Sequence, residues 1–171
     1  MKRIKFLLLT FALTILIFKN ISAQTTFNVP QNVELKADED YAKYEKDIVA
    51  ATKWLETIDL NKETEKRKET NAFVLKWITG SPTISISLTE QLQKIYGKNA
   101  ELLLIYMASY ASFFLENKST ATAFTATKAG LISIMNVYKK RIEISSNKEM
   151  DKLIKLNEEG KLDNYIKDKF N

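Results

Sequence analysis

Apolar residues along most of this chain recur at steps of three and four, the spacing of one helix face. Tyr41, Tyr44, Ile48, Ala51 and Leu55 form such a stripe and predict a helix over 38–57, with Trp54 and Ile58 widening it. Asp38, Glu39 and Asp40 in its first turn suit the helix dipole. A second helix is expected from an Asn61 cap to about Thr79. Its first half, KETEKRKETN, is polar and its second, AFVLKWI, is apolar, which suggests a helix projecting at one end and buried at the other. Gly80 suits a left-handed stop and Pro82 forbids continuation. Thr83 to Leu88 then alternates, with Ile84, Ile86 and Leu88 on one side, as a short strand or strap able to pair with residues 26–29.

Thr89 caps a short helix that ends at Gly97. Asn99 caps an uncharged stretch, Leu102 to Leu115, too short to cross a bilayer and apolar enough for a buried core helix. From Ser119 or Thr120 a long helix runs to about Ile144 on Phe124, Leu131, Met135, Tyr138 and Ile142. Its second stripe is small: Ala123, Ala126, Gly130 and Ser133. Ala108 and Ser112 on the preceding helix are small too, so the two faces are expected to meet closely and antiparallel. Glycine inside a helix costs about 1 kcal/mol against alanine, which gives Gly130 a packing reason. Ser146 to Glu149 reads as a capping box before Met150, Leu153 and Ile154. Gly160 ends that helix, and Leu162, Tyr165, Ile166 and Phe170 mark a last one. The expected fold is an all-α single-domain bundle of six or seven helices over 38–171, with an optional short two-stranded β element and an extended segment at 24–37.

The first 23 residues break this pattern. Lys2, Arg3 and Lys5 precede an uncharged run from Phe6 to Phe18, and Ala23-Gln24 offers a cleavage point, as in a secretory signal peptide. An uncleaved anchor is the alternative. The leader also reshapes the charge. It holds Lys2, Arg3, Lys5 and Lys19, so the 26 basic residues less these four leave 22 against 21 acidic ones. The surplus that would suggest nucleic-acid binding is in the leader, and no nucleic-acid partner is expected.

Candidate chemistry is sparse. There is no histidine and no cysteine, which removes imidazole bases, thiol nucleophiles and disulfides. Four glycines leave little for phosphate loops. Asp38, Glu39, Asp40 and Glu45 cluster where helix starts favour acids, without the Gly and closing Glu of a calcium loop. Ser145-Ser146-Asn147-Lys148 matches Ser-x-x-Lys but overlaps the capping box. Asn117-Lys118-Ser119 matches a glycosylation acceptor, discounted because the leader looks bacterial. No catalytic residue, metal or cofactor is expected.

Three sets of residues are candidates for a ligand or partner surface. Lys66 and Arg67 sit in the mixed-charge half of the second helix, read either as a solvated face or as a recognition arm. Tyr106 and Tyr110, with Phe114, recur every four residues beside Ser109 and Ser112, read either as core or as a pocket for an apolar ligand with a polar head. Trp77 and Ser81 flank the Gly80-Ser81-Pro82 corner, read as an anchor or a contact surface.

Ile21-Ser22-Ala23-Gln24 behind a Lys-rich leader resembles secreted proteins of Bacteroidetes-type bacteria. Lys76 to Thr83, with the alternating Ile84 and Ile86, resembles uncharacterised secreted helical proteins from such bacteria, over most of the mature chain. That resemblance implies no activity and transfers no site residue. Periplasmic acid-stress chaperones and immunity proteins are similar in size and class, but they use a disulfide, which this chain lacks. The expected function is an exported (periplasmic or secreted), non-enzymatic helical protein that binds a protein partner in the cell envelope or outside the cell. Carriage of a small apolar ligand is the alternative, and a carboxylate- or Ser/Lys-dependent enzyme the second.

Overall fold

The computed structural model describes residues 26–170, so the leader and its cleavage residues Ala23 and Gln24 lie outside the described residues. The described residues form an all-helical single domain of eight helices in order: α1 (Asp38–Lys43), α2 (Glu45–Thr57), α3 (Thr64–Gly80), α4 (Glu90–Tyr96), α5 (Ala100–Glu116), α6 (Ala123–Lys139), α7 (Lys148–Glu158) and α8 (Leu162–Lys169). Helix α5 is the hub. It packs along α6 on one side and α2 on another, with α3 and α4 at its first turns and α7 and α8 closing on α4 and α6. Its sequence explains the position: a helix apolar all round belongs inside, and every residue from Ile105 to Ser112 is buried. Among the described residues no helix is long and apolar enough to cross a membrane.

The α5–α6 seam closes at Gly130. A Cβ there would stand 2.7 Å from the Tyr106 ring and 3.0 Å from the Tyr106 carbonyl oxygen, so only glycine admits this approach. The two helices pack together as expected, but what meets Gly130 on α5 is Tyr106 rather than the small Ala108 or Ser112. Ala108 instead lends its carbonyl to Thr52 of α2, whose hydroxyl lies 3.2 Å away.

Several expectations change in detail, each for a tertiary reason. The helix expected over 38–57 breaks at Tyr44, whose N–H bonds the Tyr41 carbonyl while its own carbonyl starts α2. The break lets Tyr41 lean on Trp77 and Tyr44 meet the edge of Phe73, both on α3. Asn61 is not the cap of α3, which begins after Glu63 in a left-handed conformation (φ 46°). Gly80 is the last helical residue rather than a left-handed stop, and the Tyr41 hydroxyl occupies the place its side chain would take.

No strand pair forms among the described residues. Residues 83–88 are an extended strap pinned by buried Ile84 and half-buried Ile86, while Leu88 is 60% exposed. The 26–37 segment is pinned separately, by Phe27 stacking on Phe73 and by Lys76 donating to the Val33 carbonyl at 2.7 Å. Each strap satisfies itself against α3 or the core, and neither needs the other.

Thr89 caps α4 as expected, accepting the Leu92 N–H at 3.1 Å. Gly97 (φ 56°) and Gly160 (φ 70°) end α4 and α7 as expected. Helix α6 is capped by Thr122 with Thr125, later than expected, and stops at Lys139, so Ile142 lies outside it. The reversal that follows puts Arg141 and Glu143 at positive φ, with Arg141 stacked 3.9 Å over Tyr138 and paired to Asp151 at 2.7 Å. The cap of α7 is Asn147 rather than Ser146. Its Oδ1 accepts the Glu149 and Met150 N–H groups, while its Nδ2 donates to the Lys94 and Ile95 carbonyls at the end of α4. Asn99 makes no side-chain cap for α5 and instead exchanges two bonds with the Ser145 backbone.

Candidate functional site: a furrow between α2 and α5

The residues singled out from sequence do not converge. Trp77 is buried, 1% exposed, and donates its indole N–H to the Tyr41 carbonyl at 3.0 Å, which makes it the anchor reading, not a surface. Ser81 is half-buried, and its hydroxyl bonds Thr83 in its own corner. Tyr106 and Tyr110 are buried side by side, ring centres 6.2 Å apart. Burial pushes the Tyr106 hydroxyl up to about 12, partly offset by its bond to Thr127, and burial raises Tyr110 as well. The two tyrosines therefore take the core position, one of the two readings of that stripe, while Ser109 and Ser112 line a recess described below.

The recognition arm is also corrected. The polar half of α3 does not project, because Arg67 is 3% exposed and Lys66 lies half-buried over the Trp54 ring at 4.8 Å. Arg67 donates to the carbonyls of Ile58 at 2.6 Å, Asp59 at 3.4 Å and Leu55 at 3.5 Å. Lys140 takes the neighbouring carbonyls of Glu56 at 3.1 Å and Thr57 at 2.9 Å. Two cations thus cap the C-terminal end of α2, where orphan carbonyls and the negative dipole end gather. Burial holds the Arg67 guanidinium below its usual range, against the raising pull of Glu101 and Asp59. Asn71, beside it on α3, donates to the Glu101 carboxylate at 3.0 Å and ties α3 to α5.

What the structure does assemble is a furrow along the outer side of α2. Three recesses follow one another and share their lining residues. The first, about 290 Å³, lies between Thr83 and Ile84 of the strap and Phe114 and Leu115 of α5, with the Glu45–Lys118 ion pair at its rim. The second, about 330 Å³, shares Glu45 and Leu115 and adds Lys46, Val49 and Glu116. The third, about 120 Å³, shares Glu116 and is polar: Thr52, Lys53, Glu56, Ser109 and Ser112, closed by Phe113 and Ala129. One end is therefore apolar and the other lined by hydroxyls and carboxylates. In the polar end Lys53 pairs with Glu116 at 2.7 Å, and Ser133 of α6 donates to Glu56 at 2.6 Å.

A signal for this furrow existed in the sequence. Glu45, Val49, Thr52 and Glu56 step by four, three and four on α2, a mixed stripe beside the apolar one that faces the core. Mixed stripes are ordinary on solvated helices, so the pattern alone did not mark a site. Among the described residues no three His, Cys, Asp or Glu side chains converge as a metal-holding group. No protein-family model, curated protein or solved structure matches this chain.

Proposed function

We propose that this chain is an exported, non-enzymatic helical protein that acts by binding a protein partner in the cell envelope or outside the cell, with the α2–α5 furrow as the contact surface. The observation that carries the reading is the end of α5. Phe113, Phe114 and Leu115 are three consecutive apolar residues left half-buried along the furrow. Other large apolar side chains are also only partly buried, and Leu75 and Leu88 are exposed, but these three adjoin one another and line the three recesses. A recess of about 290 Å³ is at the lower limit of small-molecule pockets, roughly 300 Å³, and suits one inserted side chain of a partner. The leader read at residues 1–23 supports export.

The test compares two surface changes in the mature protein immobilised as bait against the envelope fraction of the cells that make it. Leu115→Asp in the furrow is expected to abolish a discrete captured species, and Leu75→Asp on exposed α3 to leave it. Loss in both, or in neither, contradicts the reading. Carriage of a small apolar ligand has the same recess in its favour. Native mass spectrometry showing a small bound mass in the gently purified protein would favour that second reading.

A further inference from the structure

We infer that the polar end of the furrow is a primary-ammonium subsite, filled in the complex by a lysine side chain of the partner. The inference rests on the furrow reading for the source of the ammonium, but the subsite itself stands on local geometry. Glu56 is half-buried and accepts the hydroxyl of Ser133, itself 7% exposed, at 2.6 Å. No cation among the described residues pairs with the Glu56 carboxylate: Lys140 goes to its main-chain carbonyl, and Lys53 is turned to Glu116. Ser109, 9% exposed, lines the same recess, and its hydroxyl has no partner among the described residues. The other hydroxyls are committed, Thr52 to the Ile48 and Ala108 carbonyls and Ser112 to Glu116.

The free Glu56 oxygen and the Ser109 hydroxyl line one recess and neither is sealed from water, so the recess offers two acceptors to an incoming donor. A primary ammonium has three donors and no acceptor, which matches that pair. A recess of about 120 Å³ admits an ammonium with its last methylenes. From Glu45 to Glu56 the furrow spans about 16 Å at roughly 1.5 Å per helical residue. The partner segment therefore presents a large apolar side chain at the Phe114 end and a lysine about 16 Å away, a spacing set by that same helical rise.

The probe is n-butylammonium chloride titrated into the mature protein, followed by amide NMR shifts at residues 56, 109 and 133, with n-butanol and sodium chloride as controls. Saturable shifts are expected with n-butylammonium and with neither control. Glu56→Gln is expected to weaken binding about tenfold or more, and Ser109→Ala about threefold. If Glu56→Gln lowers the thermal midpoint, Ser109→Ala decides, because that change removes only an unpartnered hydroxyl. Absence of saturation, equal shifts with sodium chloride, or unchanged binding in the deciding variant overturns the subsite. Loss of partner capture in Leu115→Asp alongside a failed amine titration would leave the furrow reading standing and remove this inference alone.

Discussion

Helix α5 has two boundaries of opposite character. Towards α6 it is sealed at Gly130, where the partner helix gives up its side chain so that the Tyr106 ring can lie against backbone. Towards α2 it is held at Ala108 by the Thr52 hydroxyl and at Glu116 by Lys53, and Val49, Lys53 and Glu56 stand over Phe113, Leu115 and Glu116 with space between them. Both boundaries use small residues, but their consequences differ. A glycine opposite a ring closes a seam by letting two backbones approach. Serines opposite long charged side chains leave a gap, because the charged heads stay in water and draw their stems outward. The seam is where stability is concentrated, and the furrow is where surface is left for a partner.

The largest effect is expected at the seam. Gly130→Leu forces a branched side chain into the Tyr106 ring and should cost about 3 kcal/mol, the upper end for overpacking. Thermal unfolding checks this, and an unchanged midpoint would mean the seam is not close-packed. Arg67→Ala comes next. It strips the donors from the Ile58 and Leu55 carbonyls and should cost about 2 kcal/mol, since bonds from a charged donor are among the stronger ones. Denaturant unfolding measures that loss, and partner capture per folded molecule should stay the same, because Arg67 is not on the furrow.

How far the sequence carried these assignments depends on the distance of the cause. The α5 core run, the Thr89 cap and the Gly97 and Gly160 stops are legible, because each follows from residues within one or two turns, whereas the packing reason for Gly130 is legible but its partner Tyr106, on another helix, is not. The helix break at Tyr44 is not legible, because its cause is Trp77 and Phe73 on α3. The sequence points to Asn99 and Ser146 as local caps, yet Asn99 binds Ser145, and Asn147 caps α7 while also closing α4. Arg67 looked solvated in a run of like neighbours. Its burial follows from the carbonyls at the end of α2, which a linear reading does not place beside it. The furrow was missed for the same reason, since its walls come from α2, the strap and the end of α5.

At the furrow a truncation should cost little. Leu115→Ser removes a half-buried side chain with an open recess on both sides and should lower stability by about 1 kcal/mol or less. A loss as large as that of Gly130→Leu would erase the contrast between the two boundaries. The smallest expected effect lies outside both. The carboxyl of Asp40 is held at about 2, first by its bond to Lys43 and then by the N–H groups of Lys36 and Ala37. Its folded value is below the unfolded one, so its contribution is present above the ordinary carboxylate range and is lost as pH falls through about 2. Asp40→Asn should therefore melt slightly lower than the parent at pH 6 and converge with it near pH 2, by melting at both. A gap that widens on acidification would contradict that bond.

The most direct measurement of the central claim places a photo-crosslinking amino acid at position 46, on the rim of the furrow, and separately at position 155, exposed on α7, in the cells that make the protein. The furrow reading predicts a discrete protein adduct from position 46 and none of that mass from position 155. No adduct at position 46, or the same adduct from both positions, would contradict it.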